Sequence, residues 1–169
     1  MKWNRSDLLK SPSANVTFDE DVSIDPSAFD GNSRINSVLD VHVSGTGFLD
    51  EDADRFYAEM HISGTMMIPD AITGEEIEYP FETDCDEVYG FEETEEDDVR
   101  VVTDEVIELY PAIVDAIMLE VPLQVTNADS EQYPHGDGWR VISEEDYERE
   151  QADQTDPRLA KLKQFKEEK

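Results

Sequence analysis

Two neighbouring stretches of this chain alternate apolar and polar side chains so regularly that they commit its centre to β-structure. Leu39, Val41 and Val43 alternate with Asp40, His42 and Ser44, and Phe56, Ala58, Met60 and Ile62 alternate with Tyr57, Glu59 and His61. A strand turns successive side chains to opposite faces, so a period of two buries one face of a sheet and wets the other. Gly45-Thr46-Gly47 follows the first stretch, and the acidic loop Asp50 to Asp54 joins it to the second. The pair reads as an antiparallel hairpin with a longer loop, one apolar face inward.

The flanks extend this pattern. Val16, Phe18, Val22 and Ile24 fall on even positions, which predicts a further half-buried strand before the turn residues Asp25-Pro26 and Asp30-Gly31-Asn32. Ile77, Tyr79 and Phe81 predict another, with Pro80 marking an edge or a bulge because it cannot donate to a ladder. The charge run over residues 92–98 reads as a mobile loop. A helix follows: Leu109, Ile113 and Ile117 recur at helical spacing, with Tyr110, Val114 and Met118 one row over. Pro111 suits the first helical turn, where its missing N–H is not needed, and Pro122 ends the helix. Leu123 and Val125 suggest one more short strand. At the amino end, Trp3, Leu8 and Leu9 fit a short amphipathic turn that Ser11-Pro12-Ser13 breaks.

The last third changes character. Asn127 to Gly138 is polar, and Ser143-Glu144-Glu145-Asp146 resembles a capping box with Asp in place of Glu. Asp156-Pro157 opens a second helical pattern, with Leu159, Leu162 and Phe165 on one side and lysines toward its end. The expectation is an α+β fold: a mainly antiparallel β-sheet, a packed central helix and a basic C-terminal helical tail. Residues 1–126 form one domain in this reading, and residues 127–169 a polar loop and helical tail. A chain of 169 residues is long enough to bury a core without staples.

Charge narrows the choice of partners. The chain has 43 acidic and 13 basic residues, for a net charge of −30. Lys2, Arg5 and Lys10 stand at one end, and Arg158, Lys161, Lys163, Lys166 and Lys169 at the other. Residues 11–157 keep only Arg34, Arg55, Arg100, Arg140 and Arg149 against 40 acids, a formal charge of −35. Such a body repels polyphosphate and attracts basic partners over a Debye length of roughly 8 Å. Lys2, Trp3, Arg5, Arg158, Lys161 and Lys163 are therefore the candidate contacts to RNA or to a partner. For Trp3 and Phe165, packing is the commoner use of an aromatic ring than base stacking.

Motifs for chemistry are weak. Asp50, Asp52 and Asp54 mimic the start of a calcium loop, but Arg55 stands where Gly is required and His61 where Glu is. A solvated hairpin loop explains them better. His42 and His61 are placed opposite each other on the polar face of the hairpin, yet no further ligand is spaced to complete a metal site with them. With so many carboxylates, pairs are unavoidable and say nothing of hydrolysis. His135-Gly136-Asp137-Gly138-Trp139 reads as a glycine-hinged loop holding a buried indole. The single Cys85 excludes an internal disulfide and fits a reducing compartment. The start, Met1 to Asp7, lacks the apolar core of a secretory signal, and Asp115 interrupts the apolar stretch Ala112 to Leu119. The expectation is a soluble, cytoplasmic, non-enzymatic protein without cofactor, membrane or DNA partner; oligomeric state is left open.

The order of segments carries more than any single motif. Met1-Lys2-Trp3 opens the chain, and Val43-Ser44-Gly45-Thr46-Gly47 precedes Met60-His61-Ile62-Ser63-Gly64-Thr65-Met66. Pro69 and Thr73 lead to Glu78-Tyr79-Pro80-Phe81. Asp104 to Leu109, Leu119-Glu120-Val121-Pro122-Leu123 and Gly138-Trp139 come next, before Asp156-Pro157-Arg158-Leu159-Ala160-Lys161-Leu162. This order resembles the YceD family, the large ribosomal RNA subunit accumulation proteins of bacteria and plastids. The resemblance implies a non-enzymatic ribosome biogenesis factor that supports large-subunit RNA accumulation or processing, by binding large-subunit RNA–protein intermediates. The alternative is an acidic module for a basic ribosomal protein without direct RNA contact. The implied partners are large-subunit ribosomal RNA, a basic ribosomal protein, or both. Many members carry Cys-x-x-Cys where this chain has Asp70-Ala71-Ile72-Thr73, and further cysteines near Asn127-Ala128-Asp129. The cysteine ligands of those relatives are absent from this sequence.

Overall fold

A computed structural model describes residues 1–10, 14–94 and 96–153. The described residues fall into two compact units, one within residues 1–70 and 74–125 and one within residues 71–73 and 126–153. The fold is α+β and mainly antiparallel.

The first unit is built on five strands: β2 (Asn15–Asp21), β3 (Ser37–Asp50), β4 (Arg55–Pro69), β5 (Glu76–Gly90) and β6 (Val99–Val101). They lie in sequence order, antiparallel except that β6 runs parallel to the last residues of β5. The expected hairpin is β3–β4, closed by the pair Asp50↔Arg55. Asp50 accepts the N–H groups of Asp52 (3.0 Å) and Ala53 (3.1 Å). The loop carboxylate that mimicked a calcium ligand thus holds the turn. A short ribbon pairs β1 (Lys2–Asn4) with β7 (Val106–Glu108), and α1 (Arg5–Leu8) follows β1. Trp3 therefore sits on a strand and not in a helical turn. A strand partner, β7, was available to pair Trp3 with Ile107.

Helix α2 (Tyr110–Glu120) packs against β5. Pro111 lies in its first turn, as its missing donor requires, and Ile113 N–H donates to Leu109 O at 3.0 Å. The buried helix face is Ala112, Ile113, Ala116 and Ile117. The two alanines let the backbone lie close to the sheet, while the isoleucines fill the space between. Val43, Leu49, Phe56, Ile62 and Met66 meet them from β3 and β4 in one continuous core. Phe29, in a 3-10 turn at Pro26–Phe29, and Leu8 of α1 join the same core.

Two strand expectations shift. Leu39 does not share the inner face with Val41 and Val43. A bulge between Leu39 and His42, with Asp40 at φ 51°, turns Leu39 outward, 48% exposed, and brings Val38 inward. No strand forms over Leu123–Val125; Leu123 is 81% exposed with no neighbour to pair with among the described residues. Pro80 does lie on an edge, because β6 covers only Val88 to Gly90 of β5.

The second unit holds a minimal hairpin, β8 (His135–Gly136) and β9 (Trp139–Arg140), then α3 (Glu144–Asp153). Gly138 takes φ +82°, the left-handed value a two-residue turn demands. The Trp139 indole covers Gly136 and is 57% exposed, not buried. Strands two residues long enclose no interior. Half of the capping box forms: Ser143 Oγ accepts from Asp146 N–H at 3.1 Å. The second helical pattern, from Asp156 onward, lies outside the described residues.

Candidate functional site

The five-stranded sheet buries one face under α2, the β1–β7 ribbon and the 3-10 turn, and its other face carries exposed or half-exposed polar side chains. Register assembles that outer face in rows. Thr17, Thr46, Glu59 and Asp86 form one row; Asp19, Ser44, His61 and Asp84 the next; Asp21, His42, Ser63 and Glu82 a third. Carboxylates line both margins, from β2 and from β5, and small hydroxyl side chains fill much of the middle. Toward the Asp50 turn the face becomes apolar, with Phe48 46% and Tyr57 40% exposed beside Val88.

The histidines settle into this pattern individually. The four-residue turn sets His42 opposite Ser63 and His61 opposite Ser44, so the two rings are diagonal and not opposite. Each is instead clamped by the strand on its far side. His42 Nδ1 lies 2.8 Å from Asp21 and Nε2 3.3 Å from Asp19. His61 Nδ1 lies 2.8 Å from Asp84 and Nε2 3.3 Å from Glu82. The hydrogen bond to Asp21 raises the pKa of His42 above its ordinary value; partial desolvation opposes this, and the charges of Asp19 and Asp21 add to it. The two clamps hold carboxylates of β2 and β5 in place over the sheet. Among the described residues, no group of three or more histidine, cysteine or acidic side chains is arranged to hold a metal ion.

The candidate contacts at the amino end are placed as follows. Lys2 is exposed and pairs with Glu108 at 2.9 Å. The Trp3 ring lies 5.5 Å from Phe18 and 6.1 Å from Phe56, at the margin of the core. Arg5 pairs with Asp54 and, at 3.5 Å, with Glu105, and its guanidinium lies 4.7 Å over the Phe91 ring. Arg158, Lys161 and Lys163 lie outside the described residues.

One polar cluster was not legible in the sequence. Arg100 grips Glu87 with two bonds (2.7 and 3.1 Å) and reaches Asp115 at 2.8 Å, tying β6 to β5 and to α2. These bonds raise the Arg100 pKa further and fix its charge. Cys85, beside Glu87, is pushed up to about 11, by burial first and then by that carboxylate. A thiol held protonated in this way is a poor nucleophile. Only the isolation of Arg100 in an acidic sequence hinted at such a clamp.

The described sheet thus has one covered face and one face lined with carboxylates. The profile described as "Large ribosomal RNA subunit accumulation protein YceD" matches residues 58–166. The chain is also 35% identical over 173 residues to the uncharacterized protein YlbN of Bacillus subtilis (strain 168), covering 98% of this chain and 96% of that one. The chain belongs to the YceD family. No solved structure matches it. The family description ties it to large ribosomal subunit RNA accumulation. No described helix is long and apolar enough to cross a membrane.

Proposed function

We propose that this protein supports large-subunit ribosomal RNA accumulation without catalysis, by binding RNA–protein intermediates through their basic protein component. The observation that supports this most is the sheet face on which, among the described residues, Asp19, Asp21, Glu59, Glu82, Asp84 and Asp86 are exposed. A face of this charge repels phosphate and attracts lysine and arginine. Direct RNA contact belongs, in this reading, to the basic ends: Lys2, Trp3 and Arg5 at one end, Arg158, Lys161 and Lys163 at the other. Within the first group Arg5 already has two carboxylates, so Lys2 is the side chain expected to reach a phosphate. The setting for this work is the cytoplasm.

Depletion tests the function. Loss of the protein should lower large-subunit RNA relative to small-subunit RNA, read from total RNA. An unchanged ratio would remove the proposed role.

A further inference from the structure

We propose that the free edge of β5 at Glu82, Asp84 and Asp86 takes up an extended segment of a basic protein as an added strand, one with lysine or arginine at every second residue. Along β5 the backbone groups point alternately toward β4 and away from the sheet. Gly90 turns its carbonyl outward, where it accepts from Val102 N–H at 2.8 Å. The β4–β5 register runs unbroken from Arg55↔Gly90 to Pro69↔Glu76. Backbone direction repeats every second residue in a regular strand, so the even-numbered residues of β5 face outward. Pro80 agrees with this: with no N–H, it fits only where the ladder to β4 needs none. Strand β6 pairs with Val88 to Gly90 only. Among the described residues, the outward N–H and C=O groups of Glu82, Asp84 and Asp86 therefore have no strand partner.

Charge selects the occupant. These three residues also point their carboxylates to the outer face, where all three are exposed. Side chains directly opposite on paired strands lie about 4.5–5.5 Å apart, so an added strand sets its alternate side chains beside them. Lysine or arginine there is favoured, while a second copy of this edge would oppose carboxylate to carboxylate. An RNA strand would bring phosphate to the same row. Main-chain bonds supply affinity and the alternate positions supply specificity, as in other cases of strand addition.

The inference rests on the proposed acidic-face reading, and two peptides separate the two. The full chain is titrated with a labelled peptide alternating lysine with threonine and valine. The control has the same composition with its lysines in one block. The alternating peptide should bind about tenfold tighter. Asp84→Asn removes a charge and keeps the outward N–H; Asp84→Pro removes both and leaves the β4 ladder intact. Asp84→Pro should bind about tenfold more weakly than Asp84→Asn. A circular dichroism melt checks its fold. If that variant does not fold, amide exchange in the wild type decides: the Glu82, Asp84 and Asp86 amides should slow on peptide binding. Equal binding of both peptides, with equal variants or unslowed amides, overturns strand addition and leaves the acidic face standing. Binding of neither peptide overturns strand addition, and an unchanged RNA ratio on depletion would bring down the function as well.

Discussion

At the scale of residues, two glycines decide how the core closes. A Cβ on Gly45 would stand 2.1 Å from the Glu59 carbonyl and 2.8 Å from the Phe18 ring, and one on Gly47 would stand 2.3 Å from the Phe56 ring. The aromatic rings that pack around Trp3 occupy that space. Gly47→Ala should destabilise the fold by about 1–3 kcal/mol, read from urea unfolding. The Gly-Thr-Gly motif was visible in the sequence, but the ring that needs Gly45 comes from Phe18, 27 positions away, so its reason was not. Cys85 makes a second test: at pH 8 it should alkylate far more slowly in the folded protein than in urea, because burial and Glu87 keep it protonated. His42 makes a third. Its pKa is raised from 6.5 chiefly by Asp21, so its favourable contribution is complete below that value and is lost as pH rises through the higher folded one. Asp21→Asn should return its NMR titration toward 6.5, the ordinary value.

At the scale of elements, periodicity was a good guide wherever one face is buried. The β3–β4 hairpin and α2 lie where their patterns put them, since apolar spacing is the cause of their burial. Ile113→Ala should cost about 2–5 kcal/mol, because the side chain is enclosed between α2 and the sheet. What periodicity does not encode is register. A bulge at Asp40 turned Leu39 outward, and the length of the Asp50–Arg55 turn set the histidines diagonal. The strand expected at Leu123 and Val125 had the right residue types but no partner, and pairing is a property of two segments. The Trp139 hairpin shows the same limit, with Gly138 placed as turn chemistry requires but the indole exposed.

At the scale of the molecule, charge segregation acquires a location. Part of the negative excess read from composition is gathered, in the first unit, on one sheet face beside the edge of β5, as Asp19, Asp21, Glu59, Glu82, Asp84 and Asp86, while the candidate RNA contacts stand at the chain ends in the sequence. The family and its fold were legible from segment order and alternation. The acidic face was not, because it exists only once β2 and β5 are brought to the margins of β3 and β4. The central claim is that this face engages the basic protein of a large-subunit intermediate. Its most direct test compares binding of the full-length protein to naked large-subunit RNA and to the same RNA carrying its basic proteins, across a salt series. The account predicts clear binding to the RNA–protein complex, and binding to naked RNA that is weak and vanishes as salt rises. Tight, salt-resistant binding to naked RNA, unimproved by the proteins, would contradict it.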